Sequence, residues 1–546
     1  MAEQQNDEYV DGARPDSRIW DAVIVGAGAA GAVFANELTR AGLKVLMLEM
    51  GPRYQDHRSD FVENEMDMWK RVWSSSDYQV TGDGFSGAPN LGYGVGGGTL
   101  VWTAVALRML DHDFRMRSEF GQPAGSTVED WPVSLRELEP FYTEAERQMG
   151  VSGEVMPWDP PGRPALPNPP HPIYRSSALL QEGMRRLGVR SAPGPVAIAS
   201  RAYRQQSACL HCGFCRSGCR VDAKYQCDKA LIEQALATRR LKLVTGAVVT
   251  QILQGNSRRA SGVRYIDSNT RATVNVRARV VIAANNPLEL PRLFLNSANP
   301  FSPKGLGNYY DNVGRNFFSH LGTICTGEMG ECVDTAIGFN MGNVLTLDFA
   351  RPRAGANYIG GYAIESLNGA GAGVMAVDPF RGLWGSALKS AMNNYNRLLF
   401  TVTFCEGLPV SDNRITVDPN RRDAWGRPSA NIHYQLHPND HAVFTDAVAT
   451  TRSILQAAGA SNVASTDTPF DAHPAGTMRM GNDPRTSVTD RWGKVHGLDN
   501  VYVGGAALFV TGSSVNPTLT LHALAIRSAR RIVKEFADLT AVQEAV

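Results

Sequence analysis

The sequence predicts an α/β protein: one sheet domain assembled from distant chain segments, with a second domain inserted between them. Three observations predict it. The chain opens with an apolar run, a glycine turn, a helical stretch and a second apolar run, a βαβ unit that implies a parallel sheet. Segments of the same strand–loop–helix character recur in the middle and at the end. A proline-rich stretch at 157–172, PWDPPGRPALPNPPHP, reads as an extended surface connection and a candidate domain crossover.

The elements follow in order. Residues 1–18 are polar and acidic and read as a tail, with ordered structure expected from Ile19. Asp21–Val25 is a β-branched apolar run bounded by glycine, a buried strand. Ala32–Arg40 has helical spacing and Gly42 is its stop signal, before a second strand at Lys44–Leu48. The run at 82–98, GDGFSGAPNLGYGVGGG, packs little by itself and lets backbone approach something closely. Val263–Ile266 and Ala278–Ala284 read as strands, and helical patterns fall near 288–296 and 440–458. A strand at Asn500–Val503, a loop and a helix at Thr518–Phe536 close the chain, and there are no internal repeats.

Composition sets the bounds. The 546 residues amount to roughly three domains at about 100–200 residues each. Hydrophobic residues at 43% and charged residues at 20% are too apolar a mix for a disordered chain. A net charge of +1 argues against a polyanion-binding surface, so no nucleic-acid partner is expected. No window approaches about 18 consecutive apolar residues, so no membrane span is expected. The N-terminus lacks the basic and apolar regions of a secretory signal.

Gly26-Ala-Gly28-Ala-Ala-Gly31 follows a strand and opens a helix, and Glu49 ends the next strand, which is the full dinucleotide fingerprint. Gly26 makes the tight turn, Gly28 admits a pyrophosphate to the backbone and Gly31 lets helix pack on strand. The helix N-terminus offers free N–H groups to phosphate, and Glu49 would bind ribose hydroxyls. A glycine turn without a ligand is the plain alternative, and the context on both sides argues against it. The fingerprint alone does not separate FAD from NAD. Met50-Gly51-Pro52 resembles flavoprotein Rossmann units, and VYVGGAALF at 501–509 looks like the strand that returns to the cofactor in two-segment FAD folds.

Four of the eight cysteines, Cys209, Cys212, Cys215 and Cys219, sit within eleven residues. The spacing C-x2-C-x2-C-x3-C matches ferredoxin-type iron–sulfur ligation, although Arg220 stands where ferredoxins have proline. Structural zinc, which more often uses two separated CxxC pairs, and free thiols are the alternatives. His211, inside the cluster, could support a ligand from behind.

His473 opens HPAGTMRMG, and Asn516 lies in GSSVNPTLTLHALA. These segments resemble the signatures of the glucose-methanol-choline (GMC) oxidoreductase family. GVGGGTLVW at 94–102, VGRNFFSH at 313–320, the Rossmann start and the closing helix are similar to it too, so the resemblance covers most of the chain. DWPVSLRELEPFYTEAERQMGVSG at 130–153 and DAWGRP at 423–428 resemble the branch that holds gluconate, fructose, sorbitol and glucose dehydrogenase large subunits, with pyranose oxidases nearby.

The resemblance implies a Rossmann-like FAD-binding domain from residues 19–110, 200–300 and 462–540, with the cysteine loop at 207–228. It implies an α+β substrate-binding domain with an antiparallel sheet from 111–199 and 301–461. It assigns FAD contacts to Gly26, Gly28, Gly31, Glu49, Gly97, Gly98, Thr99, Val248, Gly505, Asn516 and Thr518. It makes His473 the base that accepts the hydroxyl proton as hydride passes to the flavin, and Asn516 a second partner of the same oxygen. A histidine titrating near neutrality suits that task. His320 and His522 read instead as structural histidines. Gly504-Gly505-Ala506-Ala507 departs from the acidic or polar turn of many members, which puts one cofactor contact in doubt. No histidine lies near Gly97–Thr103 for covalent attachment, so the FAD is expected to dissociate.

In the related branch the cysteine loop holds a three-iron cluster on spacing C-x5-C-x3-C, which Cys209, Cys215 and Cys219 fit. Cys212 is then either a fourth ligand or a free thiol, giving a 4Fe-4S or a 3Fe-4S cluster. The expected activity is oxidation of a CH–OH group of a sugar, glycoside or sugar acid, with electrons relayed singly to a cytochrome or quinone. An apolar long-chain or aromatic alcohol is an alternative substrate, and a non-catalytic electron-transfer subunit is the alternative of another class. The branch implies a small partner subunit that carries the export signal, so periplasmic and cytoplasmic locations are both consistent.

Overall fold

The computed structural model describes residues 9–11, 18–62, 64–67, 72–75, 78–85, 89–255, 257–369, 371–377, 380 and 382–541. Of the expected N-terminal tail, only 9–11 and 18 fall within the described residues.

The βαβ opening forms where the apolar runs place it. Ile19–Val25 and Val45–Leu48 pair in parallel, joined by the helix Ala29–Arg40. The eight-stranded sheet runs Tyr9–Asp11, Leu241–Thr245, Val45–Leu48, Ile19–Val25, Thr273–Ala283, Ala260–Asp267, Ala247–Gln254. Thr273–Ala283 serves two neighbours on one side: its first half pairs antiparallel with Ala260–Asp267, and its last three residues pair in parallel with Val501–Val503. The sheet thus draws strands from the start, middle and end of the chain. Tyr9–Asp11 corrects the expectation of order from Ile19: it adds a parallel edge strand beside Leu241–Thr245. Three residues are too few to show a period in sequence.

The helix starts at Ala29, three residues earlier than its apolar spacing suggested, because Gly28 is its N-cap. It packs against the closing helix Thr518–Ala541, on which Leu135–Met149 also packs. Gly31 is sterically required. A Cβ there would stand 2.1 Å from the Gly26 carbonyl oxygen. Gly31→Ala is therefore expected to cost about 4 kcal/mol or more and to yield protein without FAD, checked by thermal unfolding and flavin content.

A second sheet, antiparallel in all its pairings, has six strands: Met341–Thr346, Tyr362–Leu367, Leu398–Cys405, Phe318–Glu328 and Ser461–Ser465, with Phe470–Ala475 also on Phe318–Glu328. Side chains alternate between its faces. Tyr362, Ile364, Leu399 and Cys405 pack with the helix Pro438–Ala457. Ala363, Val402 and Phe404 face the other way and join the core of the parallel sheet. That second face carries the candidate site. Among the described residues no helix is long and apolar enough to cross a membrane.

Candidate active site

The glycine fingerprint and the later glycine run meet. Gly96 N–H donates to the Ala27 carbonyl at 2.9 Å, and a Cβ on Gly97 would lie 2.9 Å from Gly28 Cα. Gly26, with φ of +98°, touches Ala284 so closely that a Cβ would sit 2.9 Å from its carbonyl. Two bare backbones therefore flank the N-terminus of Ala29–Arg40, whose Gly28 cap offers no side-chain hydrogen bond to the free N–H groups. An anion fits there, and a phosphate above all. The Glu49 carboxylate holds the N–H groups of Ala27 at 2.9 Å and Gly51 at 2.8 Å. Burial raises its pKa against those bonds. Ala247 N–H donates to the Glu49 carbonyl, which sets Val248 beside this strand end. Gly504 N–H donates to Ala283, and Gly505 lies 4.0 Å, measured from an added Cβ, from Ala30. Gly98 opens the short helix Gly98–Val101 with open space at its Cα. Thr99 is turned inward: its hydroxyl donates to Gly96 O at 2.7 Å and accepts from Cys227 N–H.

His473 lies on Phe470–Ala475 with φ of +64°, a left-handed conformation inside a strand. Non-glycine residues held there are costly and concentrate at functional sites. Its Nδ1 is 3.0 Å from Nδ1 of His320, and Phe404 packs 5.1 Å from its ring. His320 Nε2 lies 3.4 Å from the Gly512 carbonyl. A carbonyl only accepts, so Nε2 of His320 carries the hydrogen and its Nδ1 offers a lone pair. His473 Nδ1–H must then donate to it, which leaves Nε2 of His473 unprotonated and free. Burial lowers both pKa values, His320 to about 4 and His473 well below its ordinary 6.5, the latter also through His320. Both rings are neutral at pH 7. His473 is thus not a base titrating near neutrality, as the sequence reading had it, because burial beside a second histidine disfavours its cation. His320, read from sequence as a core histidine, is buried and also touches His473.

Asn516 is buried just before the helix at Thr518, and its Oδ1 has no hydrogen-bond partner. Asn285 Oδ1 and Ser514 Oγ are likewise buried and unpaired. Such atoms call for a polar ligand, since leaving them bare costs about 1–3 kcal/mol each. The loop that carries Asn516 is braced from behind. Ser513, at φ of +64°, donates its N–H to Glu406 at 2.9 Å and its hydroxyl to Asp113 at 2.8 Å. Burial raises both acids, Glu406 to about 8. This brace is spread across residues 113, 406 and 513, so no local pattern in the sequence announced it.

The cysteine loop docks on the glycine-rich segment. The buried Lys224 ammonium donates to the carbonyls of Leu100, Trp102 and Cys215 at 2.9, 3.2 and 2.6 Å. Gly218 N–H donates to Leu100 O, and Trp102 Nε1 to Tyr225 O. The Cys209, Cys212, Cys215 and Cys219 thiols lie close enough to influence one another's ionisation, and burial lifts Cys209 to about 11 and Cys215 to about 12. Among the described residues no three ligating side chains are gathered tightly enough for a single metal ion. Four thiols on one short loop are a donor set of the kind that iron–sulfur and zinc sites both use. His211 donates its backbone N–H to Cys209 Sγ at 3.3 Å, and its ring meets Tyr174 OH at 2.6 Å.

His57 ties this loop to the chain's first third. Its Nδ1 lies 2.5 Å from Asp222 and its Nε2 2.7 Å from Asp228, so both nitrogens carry hydrogen. Burial opposes the charge, but the hydrogen bonds His57 donates to Asp222 and Asp228 outweigh it and hold the pKa at about 9. A raised pKa stabilises fully below the ordinary 6.5 and loses that stabilisation as pH climbs through about 9. Amide hydrogen exchange across 219–228, corrected for its intrinsic pH dependence, is expected to accelerate above pH 9.

Comparison with known proteins places this geometry. The GMC oxidoreductase family model matches residues 20–322, and a second GMC oxidoreductase model matches 409–525. The chain is 29% identical to a 2-methyl-1,2-propanediol dehydrogenase of Mycolicibacterium austroafricanum, over 95% of this chain and 96% of that one. It is 31% identical to the paromamine 6'-oxidase of Streptomyces fradiae, over 95% and 92%. It is also 31% identical to the fructose dehydrogenase large subunit of Gluconobacter japonicus, over 94% and 98%. Among solved structures, a formate oxidase of Aspergillus oryzae shares the fold with a TM-score of 0.67 at 15% identity, covering 96% of this chain and 100% of that one. One family model spans more than half of the chain and the other spans both His473 and Asn516, so the protein belongs to the GMC oxidoreductases and is an FAD-dependent enzyme acting on CH–OH donors.

Proposed function

We propose that the protein is a dehydrogenase of a sugar or glycoside hydroxyl that passes electrons through an iron–sulfur cluster to an external acceptor. The observation that carries the catalytic half is the His473–His320 pair, whose hydrogen bonds leave one ring nitrogen of His473 free, His320 being anchored on Gly512 of the loop that carries the unpaired Asn516. Bound FAD supplies the hydride acceptor, and a bound cluster on Cys209, Cys215 and Cys219, with or without Cys212, supplies one-electron relay. The chain's own residues do the rest. The glycine backbones and helix N-terminus hold the pyrophosphate, and Glu49 orients the ribose. His473 Nε2 takes the hydroxyl proton as the carbinol carbon gives up hydride, and Asn516 fixes the same oxygen. His320 is a positioning residue that sets the tautomer of His473.

Names among the relatives, paromamine 6'-oxidase and fructose dehydrogenase large subunit, support a carbohydrate substrate. The second also supports a small partner subunit. Exposed Leu210 and Ile337 beside the cysteine loop are a surface on which a partner or acceptor would dock. A second reading, a small branched or aromatic alcohol, is favoured by Phe404 against His473 and by the diol dehydrogenase relative.

Anaerobic mixing with neutral sugars, aminosugars, a vicinal diol and benzyl alcohol tests the two readings. The proposal expects sugars to reduce the flavin fastest. Reduction by the diol or benzyl alcohol alone supports the second reading. His320→Gln, which still bonds but changes the tautomer rule, is expected to slow reduction by about 10–100-fold without loss of FAD. The depressed histidine pKa values also predict a reduction rate that holds on going from pH 7.5 to 6.

A further inference from the structure

Glu365 is a fully buried carboxyl in the middle of the strand Tyr362–Leu367, and neither of its oxygens has a hydrogen-bond partner. A hydrophobic strand interior is a poor place for such a group unless something else completes it. The register says which face it occupies. Glu365 pairs with Val402 and Ala363 with Phe404. Alternation puts Ala363, Glu365, Val402 and Phe404 on one face, the face on which Phe404 meets His473 and His320. Glu365 and Phe404 are diagonal neighbours on the ladder, about 7–8 Å apart at the backbone and within reach of long side chains. Across from it, Gly342 at φ of +78° packs closely: an added Cβ would lie 3.7 Å from Glu365 Oε2 and only 2.8 Å from Val105. Val105 lies seven residues beyond Gly98, the end of the glycine-rich segment that meets the fingerprint turn. The carboxyl therefore lies on the sheet face that carries the histidine pair, beside Gly342.

We propose that Glu365 is the specificity residue of the site, taking an O–H or N–H hydrogen of the substrate at a position away from the oxidised carbon. The inference rests on the reading of a polar, many-hydroxyl substrate above. Among the described residues neither carboxyl oxygen has a hydrogen-bond partner, so the group is kept for the ligand at a cost in stability. Burial alone raises its pKa to about 8, so at neutral pH it is largely a carboxylic acid, able both to donate to and accept from a hydroxyl. An ammonium group would instead draw out its ionised form. Hydroxyl and ammonium are two sources of the same hydrogen-bond donor, and two variants separate them.

FAD-loaded wild type, Glu365→Gln and Glu365→Leu would be mixed anaerobically with glucose and with glucosamine, reading substrate Kd and limiting flavin-reduction rate, together with Tm and FAD content. Glu365→Leu is expected to weaken binding of the sugar that reduces the wild type by on the order of 10- to 100-fold. Its limiting rate and FAD content stay near wild type, and its Tm is equal or higher. Glu365→Gln keeps binding if the donor is a hydroxyl and loses glucosamine selectively if it is an ammonium. Unchanged Kd in Glu365→Leu overturns the inference. So does loss of FAD in both variants, which would make the carboxyl a cofactor contact. A wild type that neither sugar reduces sinks the carbohydrate reading first and is told apart from both, because no variant is needed to see it.

Discussion

His473→Ala is expected to remain yellow and FAD-loaded while its substrate no longer bleaches it. The fall in the reduction rate is about 10²–10⁴-fold, the worth of a placed general base. FAD stays because the glycine backbones, the helix N-terminus and Glu49 proposed to hold it do not involve His473. The strained φ of +64° argues the same way: alanine at that position gains nothing in the fold, so the histidine is kept for its ring. Single-turnover reduction followed by stopped-flow absorbance checks it. Reduction at the wild-type rate would remove His473 from the chemistry.

Cys215→Ser is expected to separate the two halves of the turnover. Cys215 is half-buried, and its carbonyl is held by the ammonium that also grips Leu100 and Trp102. Iron and sulfide are expected to be lost, and acceptor-coupled turnover to fall on the order of 10²-fold. Reduction of the flavin by substrate keeps its rate. Cys212→Ser distinguishes the ligand sets: iron content is unchanged if Cys209, Cys215 and Cys219 suffice, and falls if Cys212 is a fourth ligand. Flavin reduction that fails together with iron would show that the loop shapes the active site and does not only relay electrons.

How much of this was legible depended on distance along the chain. The strands of the βαβ opening and the fingerprint glycines are local patterns, and the turn, cap and contacts give each glycine a steric reason. His473 and Asn516 stand out in the sequence because each lies in a contiguous signature. The contact of His473 with His320 was not legible, because it spans 153 residues and depends on a register shift between Phe318 and His320. The neutral state of both rings follows first from their burial, to which His320 adds for His473, so the pKa of His473 could not be read either. Glu365 looks like one more polar residue in IESLNG until strand pairing fixes its face. Tyr9–Asp11 escaped because an edge strand of three residues takes its definition from Leu241–Thr245 rather than from its own sequence.

The most direct test of the whole account is the anaerobic visible spectrum of the purified protein before and after a reducing sugar-type substrate, with iron and sulfide measured on the same sample. The account predicts flavin bands on a broad iron–sulfur absorbance, with the flavin bleaching first and the cluster absorbance following. Flavin without iron, or flavin that no alcohol in the panel bleaches, would contradict it.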